Sequence, residues 1–134
     1  MVALAGCSTS AAVTAGGPPV LSTPSPTHPP MVTASMADNG HTITVAGGQQ
    51  LVVKLDSTFW TFAPTATPAL RVAGSPIVLP TKPCVPGGGC GSVTAIFDAV
   101  TAGQVTVAAD RTSCGEAMRC VGSSGTYRLT VVVR

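Results

Sequence analysis

Four cysteines stand in two equally spaced pairs, Cys84 and Cys90 in the string CVPGGGC, and Cys114 and Cys120 in CGEAMRC. Paired thiols at this spacing can close a disulfide or contribute to a metal site. Structural zinc sites favour gaps of two to four residues, so a gap of five that holds Gly87, Gly88 and Gly89 matches zinc poorly. Four cysteines allow three pairings. The expected pairing joins each cysteine to its near neighbour, because each pair brackets a turn that can bring the two Cα atoms within bonding range. Each closed ring of about seven residues then stabilises by roughly 2–2.5 kcal/mol through the unfolded state. Zinc and free thiols are the alternatives. Other reactive groups are sparse: five carboxylates, Asp38, Asp56, Asp98, Asp110 and Glu116, and two histidines, His28 and His41. No nucleophile elbow precedes a serine. The glycine run after Pro86 has neither the lysine nor the helix of a phosphate cradle. These residues predict neither an enzyme nor a metal or cofactor site.

The fifth cysteine closes the string Leu4-Ala5-Gly6-Cys7. The string resembles the cleavage point of bacterial lipoproteins, where small residues fit a peptidase groove and the thiol takes a diacylglycerol. The resemblance implies an exported, lipid-anchored chain with palmitate-type acylation at Cys7, facing the cell wall or periplasm. Residues 1–7 then read as the remnant of a signal whose basic and apolar regions lie upstream. One acyl chain holds a protein only marginally, at about 0.8 kcal/mol per buried methylene, and two or more suffice. Export also favours disulfides over free thiols.

Residues 8–37 contain no Lys, Arg, Asp or Glu but six of the twelve prolines. Such a segment cannot bury enough apolar surface to offset its ordering entropy, so a disordered linker is expected. Flexible-chain scaling gives it a mean reach of roughly 30 Å. Charged residues are only 9% of the chain and the net charge is +2, without a basic stripe. Nucleic acid is therefore excluded as a partner. From Asp38 onward the pattern changes to period two. Leu51, Val53 and Leu55 share one face, as do Val93, Ala95 and Phe97, then Val105 and Val107, then Tyr127, Leu129, Val131 and Val133. About seven short Val/Thr-rich strands between Gly/Pro turns predict a small antiparallel immunoglobulin-like β-sandwich over residues 38–134. A lone tryptophan, Trp60, is expected in its core.

Between about Gly47 and Arg134 the order of motifs resembles the chagasin-type inhibitors of papain-like cysteine peptidases. LVVKL leads into Asp56-Ser57-Thr58-Phe59-Trp60; a Gly-rich stretch, 86–91, precedes Ala95-Ile96-Phe97-Asp98-Ala99; and Asp110-Arg111-Thr112-Ser113 follows VTVAA. The resemblance implies three loops at one end of an immunoglobulin-like sandwich, with Ser57, Thr58, Phe59, Trp60, Gly87, Gly88, Gly89 and Arg111 facing a partner. In the first loop Ser57 and Phe59 stand where the family carries Pro and Gly. If Phe59 must take backbone angles natural to glycine, the loop is strained and inhibition is weak. The expectation is a monomeric, non-catalytic, membrane-anchored envelope protein whose stiffened loops bind another envelope or secreted protein. Inhibition of a papain-type peptidase is the alternative.

Overall fold

The computed structural model describes residues 30–134, residue 66 excepted. The expectations for the linker before Pro30, and for Cys7, lie outside the described residues. The strands are β1 (Met31–Ala34), β2 (Thr42–Val45), β3 (Gln50–Asp56), β4 (Thr61–Phe62), β5 (Leu70–Val72), β6 (Ile77–Pro80), β7 (Gly91–Ala99), β8 (Gly103–Asp110) and β9 (Thr126–Val133). One sheet runs β1-β3-β7-β5, with β6 also paired to β7, and the other runs β2-β9-β8-β4. They form a β-sandwich with nine strands rather than seven among the described residues. The strand that no expectation covered is β1, an edge strand inside the tract assigned to the linker.

The alternating residues do face inward. Leu51, Val53 and Leu55 pair across the ladder with Phe97, Ala95 and Val93. Val105, Val107 and Ala109 pair with Val131, Leu129 and Tyr127. All twelve of these side chains are buried in one core cluster between the sheets. A strand's side chains alternate between faces, so placing one apolar residue in the core places every second residue there.

Two expectations are corrected. The sheets are mixed rather than purely antiparallel, because β1 runs parallel to β3 and β2 parallel to β9. The domain also starts earlier than Asp38: Met31–Ala34, assigned to the linker by composition, is a sheet strand. Ala34 is only 1% exposed, packed in the core cluster. Behind it the Ser35 hydroxyl accepts from the Ala37 amide, the Asp38 carboxylate accepts from the Ser35 amide, and a short 3-10 turn forms. Asn39 then locks the crossover: its side-chain amide donates to Thr126 O at 2.9 Å and its oxygen accepts from Arg128 N at 2.9 Å. The composition of the surrounding Pro/Thr tract masks this strand.

Candidate functional site

Three connections emerge at one end of the sandwich. The first, 57–60, leaves the end of β3. The second, 81–90, enters the start of β7. The third, 111–125, joins the end of β8 to the start of β9. Antiparallel pairing of β3 with β7 and of β8 with β9 brings these strand ends together.

The first loop is closed on itself. Trp60 is 3% exposed, and its indole N–H donates to Asp56 O at 2.9 Å. The ring meets Tyr127 edge-on at 6.5 Å between centroids. Trp60 is thus both core residue and foot of the loop. Ser57 carries the left-handed backbone, with φ 109°, and its hydroxyl accepts from Phe59 N at 3.1 Å. Phe59 is not among the positive-φ residues, so the strain expected there is absent. Its ring instead lies against Gly89, where any added Cβ would collide with it.

Both disulfides form with the expected pairing, Cys84 to Cys90 and Cys114 to Cys120. The zinc and free-thiol alternatives for these four residues are thereby set aside. Among the described residues no three of His, Cys, Asp and Glu gather where they could hold a metal ion. The glycines between Cys84 and Cys90 are a joint rather than a flexible filler. Gly89 O accepts from Thr58 N at 2.9 Å, and Gly91 O accepts from Ser57 N at 2.8 Å, tying the first loop down. Gly87 O accepts from Glu116 N at 2.9 Å, which docks the second disulfide ring onto the first. A Cβ on Gly115 would lie 3.1 Å from Gly88 O, and one on Gly88 would lie 2.9 Å from Cys84 Sγ. Gly115 thus lies close against the first ring, while Gly88 is crowded by Cys84 and Val85 of its own ring.

Arg111 bridges the first and third loops. Its guanidinium carbon lies 4.7 Å from the Trp60 ring centroid, a cation–π contact, and its Nε donates to Ser124 O at 2.8 Å. Burial holds its pKa below the usual arginine value, against the opposing pull of the Asp56 carboxylate. Arg111 is therefore pinned over the core and positions the loops. Of the other residues expected to face a partner, Trp60 is instead buried in the core, while Ser57, Thr58, Phe59, Gly87, Gly88 and Gly89 lie in the loops at this end.

Residues not singled out in the sequence complete the surface. Val85, Met118 and Val121 are 52%, 63% and 81% exposed on the second and third loops. Period-two patterning carries no signal for them, since they lie outside strands. Two open clefts flank the joined loops. One of about 730 Å³ lies between Phe59, Pro83, Val85 and the glycines. The other, of about 720 Å³, runs beside Arg111, Ser113, Met118 and Arg119.

No family model matches the chain, and no curated protein matches it. Its fold is similar to that of the cysteine protease inhibitor EhICP2 from Entamoeba histolytica, with TM-score 0.57 and 9% identity over 81% of this chain and 99% of that one. It is also similar to amebosin in its solution structure, with TM-score 0.54 and 18% identity over 79% of this chain and 99% of that one. The chain therefore shares the fold of a cysteine protease inhibitor, the fold that its resemblance to the chagasin-type proteins implied.

Proposed function

We propose that this protein inhibits papain-type cysteine peptidases, with the three joined loops entering the peptidase cleft. The observation that carries the reading is the backbone joint at Gly87–Gly89, which holds the first and third loops on one rigid, partly apolar face. Pre-ordered loops lose little entropy on docking, which is how such faces reach high affinity. The fold shared with a cysteine protease inhibitor supports a peptidase over an unspecified envelope protein as the partner. The unstrained Phe59 removes the argument that its bulk weakens inhibition, and it adds an apolar ring beside the 730 Å³ cleft.

The test is titration of papain with the purified domain. A nanomolar inhibition constant, weakened by Thr58→Ala or by Val85→Asp paired with Met118→Asp, is the expected outcome. No inhibition at micromolar domain would overturn the reading. We further propose, from the LAGC string and the uncharged residues 8–37, that Cys7 anchors the exported chain to the membrane. Uptake of labelled palmitate that is lost in Cys7→Ala is expected, whereas membrane fractionation of that variant would count against it.

A further inference from the structure

The core cluster contains no cysteine. Both disulfides sit in the loop face, and the ladders β3–β7 and β8–β9 end where the rings begin. We propose that the loop face is a redox gate: a dithiol reductant opens the two rings and disarms the face while the sandwich stays folded. This control rests on the inhibitor reading above and concerns the same site.

Three observations lead to it. The rings have few side-chain contacts of their own, since 81–87 and 116–119 are exposed. Within the first ring Gly87 and Gly89 have φ of 75° and 66°, and glycines regain the most backbone freedom when released. The carbonyls of those two glycines are the acceptors that hold Glu116 and Thr58. Opening the first ring therefore loosens all three loops together.

Access differs between the rings. Cys84 is exposed, whereas Cys90, Cys114 and Cys120 are half-buried, so the Cys84–Cys90 bond is the entry point. A thiolate of the dithiol attacks Cys84 Sγ, the S–S bond breaks, and Cys90 departs as a thiolate that takes a proton. The second thiol of the reductant then attacks its own sulfur in the mixed disulfide and frees Cys84 as a thiol. Two electrons and two protons pass to the protein, and the reductant leaves as a disulfide. The nucleophile of a papain-type peptidase is itself a thiolate and works only when reduced. One reductant thus arms the enzyme and disarms the inhibitor, so the pair responds to redox state in opposite senses.

The experiment compares three forms of the domain against papain freed of excess reductant: the oxidised chain, the chain reduced with dithiothreitol and alkylated, and the Cys84→Ser/Cys90→Ser variant. Amide hydrogen exchange is followed on the same samples. The expected result is an inhibition constant raised about 100-fold in both altered forms as pre-ordering is lost. The amides of Thr58 and Glu116 should lose protection while those of Val53, Leu129 and Val131 keep it. An unchanged inhibition constant overturns the gate and leaves the inhibitor reading standing. Failure of the oxidised chain to inhibit overturns the inhibitor reading and this control with it. Loss of protection at the core amides in both altered forms would make reduction plain unfolding, which also overturns the gate.

Discussion

Gly89 and Phe59 occupy each other's space, and this pair rather than any charged group sets the shape of the first two loops. A Cβ at Gly89 would meet the Phe59 ring, while at Gly87 it would meet nothing within 4 Å. Both positions carry positive φ, so alanine costs each about 1–2 kcal/mol of backbone strain. Gly89→Ala should therefore destabilise clearly more than Gly87→Ala in denaturant melts, and Phe59→Ala should close most of the gap. Equal costs would show that the ring moves freely. Tyr127 makes a pH prediction. Its hydroxyl donates to Ser35 O at 3.0 Å, and its pKa is pushed up to about 12, by burial first and by the Asp38 carboxylate second. The folded state holds the proton more tightly than the unfolded one, whose tyrosine ionises near 10. The resulting stabilisation is complete below about pH 10 and is lost as pH rises toward about 12. Melting points should fall through that window. Tyr127→Phe should lose about 1 kcal/mol of hydrogen bonding at neutral pH and flatten the alkaline fall.

Strand β6 shows how an exposed apolar edge is kept from pairing with another chain. Ile77, Val78 and Leu79 are all exposed, and no charge lies between Arg71 and Lys82. In the register with β7, Thr81 stands opposite Cys90 and donates to it at 3.2 Å. Antiparallel alternation then turns the amide positions of residues 76, 78 and 80 toward the free edge. Two of these are Pro76 and Pro80, which have no N–H to offer, so Val78 is left as the single edge donor there. Proline on an edge strand blocks unwanted strand addition. Replacing Pro80 with Val should restore a donor to this apolar edge and produce concentration-dependent association by light scattering. A variant that stays monomeric at high concentration would show that the proline is not the guard.

The sandwich as a unit requires its first described strand. A chain beginning at Asp38 would lose β1, the buried Ala34 and the Ser35 carbonyl that accepts from Tyr127. It would also leave β3 as a bare edge. The truncated domain should show both a lower denaturation midpoint and a smaller m-value than the chain from Pro30, since less surface is buried in its native state. An unchanged midpoint would mean that β1 is an accessory. Among the described residues both disulfides lie at the loop end, so stiffness is concentrated where a partner would dock.

Local chemistry alone determined the inward faces of β3, β7, β8 and β9, and it favoured the near-neighbour cysteine pairing among the three that four cysteines allow. Both are short-range: alternation at period two, and a sequence separation of six between bonded cysteines. Ser57–Trp60 and Gly87–Gly89 were likewise legible as loop residues, because their types and order followed a known pattern. Only the tertiary structure decided the parallel placement of β1 and β2, since alternation says which side chains point inward but nothing about strand direction. It alone placed Arg111 on Trp60 and left Val85, Met118 and Val121 exposed on the second and third loops. The contacts that make the site, Thr58 with Gly89 and Glu116 with Gly87, join backbone groups that every residue but proline possesses. Such bonds leave no mark in residue type, and they arise only when the ends of four distant strands are brought level.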